Sequence, residues 1–268
     1  MADYNFRELQ LHILKILLCF DRVCREHNLH YWLLFGTMLG AVRHRGFIPW
    51  DDDIDVGLPR PEYEQLILHA REWLPEPYEF VCYETDPHCL SGFGKMQDAS
   101  TTLVERKHVN YRGGVYIDIF PIDGISSCPI CQRIQYWRYS YYNKLCYLLL
   151  RDPYKHGHGP SCWLPLLVRR LYTPRCVMRR FRRVMLRYRW EESRYVSCLH
   201  DGPTSVMPKE VLGEGTPIEF EGHRLMGVAQ PDAYLTHEFG NYMKLPPVEK
   251  RKSHNFYYLN LHKPYRDD

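Results

Sequence analysis

Between Phe6 and Glu26 the apolar residues Leu9, Ile13, Ile16, Leu17, Phe20 and Val23 recur mostly at steps of three and four. That is the stripe of an amphipathic helix, which needs a sheet or another helix to cover it. Tyr31 to Phe35 is a bulky apolar run that reads as a buried strand, and Gly36-Thr37 breaks it. Leu39 to Arg45 suits a short helix, and Pro49-Trp50 turns the chain into Asp51-Asp52-Asp53-Ile54-Asp55-Val56-Gly57-Leu58. In a strand alternate side chains share a face, so Asp53 and Asp55 point one way while Ile54 and Val56 point into the core. Asp51 joins as an auxiliary member, and Asp52 reads as a turn residue.

Further along, Pro61 with Tyr63, Leu66, Ile67 and Trp73 predicts a helix over the sheet, and Tyr78 to Tyr83 a strand. Gly92 to Gln97 and Thr101 to Glu105 read as a strand pair around a turn at Asp98. Val115 to Gly124 is a strongly apolar strand, Gln132 to Leu150 a helical stretch, and Glu219 to Val228 a hairpin around Glu221-Gly222. A helix starts near Gln230 and ends near Gly240. The order predicts an α+β fold with a mixed sheet flanked by helices. Three segments follow: a core at 1–127, a helical, basic and aromatic insertion at 128–205, and a closing part at 206–268.

Composition narrows this picture. The 268 residues are 45% hydrophobic and 14% aromatic, enough for one sizeable core with an appended subdomain. Lys and Arg number 35 against 32 Asp and Glu, a net charge of +3 too balanced to call for a nucleic-acid partner. Ten cysteines accompany an N-terminus with no cleavable signal pattern, so reduced and mostly buried thiols are expected. Cys128 and Cys131 form the one close pair. A zinc site would need Cys146, His156 or His158 at irregular distance, and a turn before a helix is the plainer reading.

No stretch of about 18 uninterrupted apolar residues exists, which argues against a transmembrane helix. Arg7, Glu8, Lys15, Asp21 and Arg22 likewise interrupt any anchor in the first helix. The chain is expected to be soluble or peripheral. Local charge does stand out in Arg169, Arg170, Arg175, Arg179, Arg180, Arg182, Arg183, Arg187 and Arg189, interleaved with Leu171, Tyr172, Phe181, Val184 and Leu186. The pattern suits an interfacial helix on an anionic membrane or a cradle for a phosphorylated acceptor; RNA binding is the rival.

The chemistry is expected where carboxylates converge. Asp53 and Asp55 repel each other, and a fold tolerates that best when a divalent cation neutralises them. Hard oxygen ligands of this kind suit Mg2+, or Mn2+, which also binds substrate phosphates. Asp118 lies in the middle of the apolar strand Val115 to Gly124, where an uncompensated carboxylate would cost several kcal/mol. It is expected to join the metal ligands, whereas Asp123 before Gly124 reads as a turn residue. Gly36 and Thr37 offer backbone N–H groups and a hydroxyl to a phosphate.

An apolar strand, Gly-Thr, a short helix and then Asp-x-Asp on the next strand is the layout of the nucleotidyltransferase fold. The stretch GTMLGAVRHRGFIPWDDDID resembles the signature of the LicD family, related to the fukutin-type transferases. The resemblance implies a metal-dependent transfer of phosphocholine or a polyol phosphate from a CDP-linked donor to a glycan hydroxyl, with CMP released. It implies acceptors such as lipopolysaccharide or teichoic acid, often built on lipid carriers, and a cytoplasmic protein, soluble or on the inner face of the membrane. KMQDASTT is similar to the family's Lys-x-x-Asp-x-x-Thr-Thr element, which makes Lys95 a donor-phosphate contact; a surface lysine on an edge strand is the alternative. Asp-Ile-Phe-Pro at Asp118 also recurs in the family.

Phe239 to Pro247 resembles its Tyr-Gly-x-Tyr-Met-x-x-Pro-Pro element, with Phe239 replacing the first tyrosine. That segment is expected to fold back over the donor, with His254 orienting a phosphate or the acceptor. Arg43 would add a bidentate phosphate contact or pair with Asp51 or Asp52. Two rival readings stand beside this one: a nucleotidyltransferase acting on an NTP, and a non-catalytic nucleotide-binding module.

Overall fold

The N-terminal stripe does form a helix, α1 (Phe6–Glu26), which buries Leu9, Ile13, Ile16, Leu17, Phe20 and Val23; Asn5 caps it by accepting from the N–H groups of Arg7 and Glu8. The structure is a computed structural model and describes residues 5–109, 111–155, 157–251, 253 and 256–266. After α1 come β1 (Trp32–Leu33), α2 (Phe35–His44), β2 (Asp55–Pro59), α3 (Arg60–Trp73), β3 (Tyr78–Val81), β4 (Gly94–Val104) and β5 (Gly113–Ile125). Three helices follow, α4 (Pro129–Leu150), α5 (Trp163–Leu171) and α6 (Pro174–Met185), then β6 (Tyr195–Ser197), β7 (Met207–Pro208) and the single turn α7 (Lys209–Leu212). The hairpin β8 (Thr216–Phe220) and β9 (His223–Gly227), the helix α8 (Pro231–Phe239) and β10 (Tyr258–Asn260) close the chain.

Eight of the described strands form one mixed sheet with the path β1-β2-β5-β4-β10; β3 pairs with β4, and β6 bridges β5 and β7. The β2–β5 pair is parallel and the rest are antiparallel. The fold is α+β, as the order of elements predicted. α1 packs on β4 and β5, and α3 on β2, β3 and β5. A second apolar cluster holds α4, α5 and α6 together through Tyr139, Cys146, Val168, Val177, Phe181 and Val184. β6, inside the stretch expected to be a helical insertion, is part of the main sheet.

Four local expectations change. The strand expected at Tyr31 to Phe35 is only Trp32–Leu33, because α2 already begins at Phe35, which adopts φ 44°. The strand pair expected around Asp98 is one strand, β4, with a register shift between Asp98 and Leu103. Asp98 stabilises that bulge: its carboxylate accepts from the Ser100 N–H (2.8 Å) and hydroxyl (2.6 Å) and meets His12 on α1 at 2.9 Å. β4 is therefore interior to the sheet, which removes the edge-strand reading of Lys95. Asp123 is no turn residue but a buried partner of Arg60 on α3, held by two hydrogen bonds of 2.6 and 2.9 Å.

All ten cysteines are unpaired, and seven are buried. Among the described residues no helix is long and apolar enough to cross a membrane.

Candidate active site

Strand register assembles the centre. Asp55 on β2 pairs with Asp118 on β5, and Lys95 on β4 pairs with Asp118 from the other side. Residues opposite each other on neighbouring strands lie on one face, so Asp55, Asp118 and Lys95 form a row across three strands. Lys95 Nζ is 3.7 Å from Asp118 Oδ1, donates to Glu105 Oε1 at 2.5 Å and lies 3.4 Å above the Tyr116 ring. Tyr116 in turn donates its hydroxyl to Glu105 at 2.8 Å. The carboxylate inside the apolar strand thus has a cation beside it that the strand pattern alone did not reveal.

Burial works against the charge on Lys95, but Tyr116, Asp118 and Glu105 more than reverse it and hold the ammonium well above its ordinary range. Glu105 is held low, because Lys95 and the Tyr116 hydroxyl outweigh its own burial. Asp55 is the opposite case. Burial, then the charges of Asp53, Asp118, Asp51 and Asp201, push its carboxyl well above the usual carboxylate range. The site has more negative charge than it neutralises around Asp55.

A cavity of about 270 Å³ opens beside this row; its lining includes Asp52, Asp53, Lys95 and Asp118 together with Leu9, Ile13, Arg106, Tyr116 and Phe256. Asp52 is buried and lines the cavity rather than a solvated turn. Asp53 stands at the cavity wall two residues before Asp55. These hard oxygen donors suit Mg2+, and the crowding at Asp55 is what a divalent cation would relieve. Among the described residues no three His, Cys, Asp or Glu side chains stand at ligand spacing; Asp55 and Asp118 are register partners on neighbouring strands, with Asp53 two residues before Asp55. The same finding leaves Cys128 and Cys131, at the start of α4, without a zinc group among the described residues, and His156 lies outside those residues.

The expected phosphate turn is built differently. Gly36 and Thr37 are in the first turn of α2, and a Cβ on Gly36 would come within 2.8 Å of Asp51 Oδ2. The anion facing that turn is thus the Asp51 carboxylate, at a helix N-terminus where negative charge is favoured. Thr37 is buried, and its hydroxyl accepts from the Asp55 N–H at 2.8 Å, which fixes the first residue of β2. Arg43 donates to the Tyr242 carbonyl at 2.9 Å and to His44 at 3.0 Å, tying α2 to the C-terminal segment. Arg251 lies 4.7 Å over the Trp50 ring, so residues 242–251 do fold back onto the stretch before the aspartates. His254 lies outside the described residues.

Other residues gather here that carried no motif. Asp201 and Glu238 are hydrogen-bonded to each other, and burial, followed by the charge of Asp201, pushes the Glu238 carboxyl up to about 8. Tyr234, one turn earlier on α8, accepts from the Phe35 N–H at 3.0 Å. His200, next to Asp201, stacks with Phe93 and Phe120 at centroid distances of 4.6 and 5.7 Å.

Known proteins share this arrangement of sequence. A family model described as the LicD/FKTN/FKRP nucleotidyltransferase domain matches residues 28–147, which span β1 through most of α4 and contain Asp55, Lys95 and Asp118. The lipopolysaccharide cholinephosphotransferase LicD of Haemophilus influenzae is 30% identical over 95% of this chain and 97% of its own length. This chain belongs to the LicD family. Two further matches are local: an uncharacterised protein of Rickettsia prowazekii, 43% identical over 51 residues (19% of this chain, 18% of that protein), and human ribitol 5-phosphate transferase FKRP, 47% identical over 36 residues (13% and 7%). Similarity to the Haemophilus influenzae protein thus extends beyond the residues of the family model into the α5 and α6 helices and the C-terminal segment.

Proposed function

We propose that this chain moves phosphocholine, or a related alcohol phosphate, from a CDP-linked donor to a hydroxyl of a cell-surface glycan such as lipopolysaccharide or teichoic acid, and releases CMP. Full-length similarity to a lipopolysaccharide cholinephosphotransferase carries this reading, and the row of Asp55, Asp118 and Lys95 supplies its chemistry. Asp55, Asp118 and Asp53 would hold Mg2+, or Mn2+. Once bound, the ion supplies charge neutralisation at the donor pyrophosphate and lowers the barrier to its cleavage. Lys95 presents a buried point charge to the same phosphates.

The acceptor oxygen attacks in line at the phosphorus bearing the alcohol ester, the bond to the CMP oxygen breaks, and CMP leaves. Most of the rate then comes from holding donor and acceptor in one geometry beside the charged row. The reading places the chain in the cytoplasm, with its acceptor lipid-linked at the inner membrane face. Support for peripheral contact with an anionic membrane comes from α5, where Trp163, Leu164, Leu167 and Leu171 are exposed beside Arg169 and Arg170.

The test is product analysis of the purified chain with Mg2+, labelled CDP-choline and a candidate glycan, with an NTP in parallel. CMP release with label on the glycan is the expected result. Nucleotide incorporated from the NTP, with no CMP from CDP-choline, overturns it.

A further inference from the structure

The face that carries Asp118 continues into aromatic rings. Phe120 follows Asp118 by two residues on β5 and so shares its face, and Phe93, immediately before β4, meets Phe120 at a centroid distance of 4.6 Å. His200 closes the group at 4.6 Å from Phe93 and 5.7 Å from Phe120, and Phe35 backs it edge-on to Phe120 at 5.6 Å. Phe93 also lines the cavity that contains Asp53, Lys95 and Asp118, so this ring borders the same space as the carboxylates, with Phe120 and His200 packed behind it.

Charge completes the pattern. Asp201 follows His200 directly, and its charge acts on Asp55, Tyr234 and Glu238, which places it at the junction of the metal-binding face and α8. Glu238 Oε1 is buried with no hydrogen-bond partner among the described residues. His200 is held below its ordinary range by burial and by the charge of Lys95, against the pull of Asp201, so at neutral pH it is an uncharged ring. Uncharged aromatic faces next to carboxylates make a receptor for a cation that has no protons to donate.

We infer that Phe93, Phe120 and His200, with Asp201 as counter-charge, form a subsite for the quaternary ammonium group of the donor. The inference rests on the phosphocholine reading and specifies which part of the site reads the alcohol. A two-residue step along a strand advances about 6.6 Å, comparable with the four-bond reach from phosphorus to nitrogen in a phosphocholine ester. With the pyrophosphate at Asp55 and Asp118, the trimethylammonium falls over the rings. The nucleoside then extends the other way, toward Arg106, Tyr116 and Phe256. A polyol or an unmethylated amine at the same place would leave hydroxyls or N–H groups facing ring carbons.

The decisive comparison is CDP-choline against the CDP ester of 3,3-dimethylbutanol, which has the same shape with a neutral tert-butyl group. Wild-type protein is expected to favour the charged ester by about tenfold or more in kcat/KM, the scale of a desolvated cation over aromatic faces. His200 and Asp201 lie in the turn after β6 and belong to neither apolar cluster, so His200→Leu and Asp201→Asn should fold normally. Both are expected to narrow that preference by raising KM for CDP-choline while kcat with saturating donor stays near wild type. Equal use of the two esters by wild type, or an unchanged preference in both variants, overturns the subsite. Calorimetric binding of the two esters without acceptor keeps the readings separable. Failure of every CDP ester to release CMP counts against the proposed reaction, whereas equal binding of the two esters counts against the subsite alone.

Discussion

β5 carries two carboxylates with opposite jobs, and alternation along the strand separates them. Asp118 faces the cavity with Asp55 and Lys95; Asp123, of the other parity, is buried against Arg60. Removing one partner of a buried, doubly hydrogen-bonded pair leaves an uncompensated charge, so Asp123→Asn is expected to cost about 3–5 kcal/mol of stability. Asp55→Asn should instead leave Tm close to wild type or raised, because repulsion is relieved, while transfer falls by at least about a hundredfold. Paired melting and CMP-release measurements check both halves; full activity in purified Asp55→Asn would refute the metal assignment. That Asp118 needs a partner was legible, because an acid in an apolar strand demands one. Lys95 as that partner, and Arg60 as the partner of Asp123, were not, since both depend on which distant segments come together. Glu238 gives a pH signature at the same scale. Its folded value near 8 lies above the ordinary 4.5, so its contribution is intact below pH 4.5 and is progressively lost as pH rises to about 8. Glu238→Gln should therefore be more stable than wild type above neutrality, by about 1–2 kcal/mol after solvent screening, in denaturant titrations at pH 5 and 9.

At the scale of elements, the stretch from β1 through α2 to β2 shows what a local pattern specifies and what it leaves out. Repeating apolar positions marked α1 within the bounds found, and Glu221-Gly222, with φ 51° and 76°, makes the hairpin turn that the sequence suggested. Gly36 and Thr37 looked like a break between elements and proved to be the first turn of a helix, because Phe35 absorbs the reversal in a left-handed conformation. Close approach explains two glycines there. A Cβ on Gly40 would lie 2.5 Å from the Gly46 carbonyl oxygen, backbone that cannot yield cheaply, whereas on Gly36 it would meet the Asp51 side chain. Gly40→Ala is thus expected to destabilise the fold by about 1–3 kcal/mol. Gly36→Ala should spare stability more but displace Asp51 from beside the aspartate row and lower kcat. A Gly36→Ala protein with wild-type kcat and a lower Tm would show that Asp51 serves packing alone.

Across the whole molecule, two apolar clusters divide the work: the main one builds the sheet and its cavity, and the second holds α4 to α6. The basic stretch was visible in the sequence, yet its arginines do not act together. Arg182 binds Glu64 and Glu84 and locks α6 to the sheet domain, and Arg189 pairs with Glu192, while Arg169, Arg170, Arg175, Arg179, Arg180 and Arg183 remain at the surface. Which arginine is structural could not be read from the pattern, because α6 meets Glu64 and Glu84 only through tertiary packing. The exposed face of α5 carries Trp163, Leu164, Leu167 and Leu171, each more than half exposed. Insertion of that face between lipids, steered by the flanking arginines, predicts flotation with phosphatidylglycerol vesicles at low salt and weak or no flotation with phosphatidylcholine vesicles. Added salt should release the protein, since exposed charges are screened beyond about 10 Å at 0.1 M. The double substitution Leu167→Ser with Leu171→Ser should weaken partition by at least about tenfold, the scale of two partly inserted leucines. Its Tm should not move, because neither side chain packs in a core. Flotation of the double variant equal to wild type would leave only an electrostatic attraction, and no flotation of wild type on anionic vesicles at low salt would remove the membrane contact altogether.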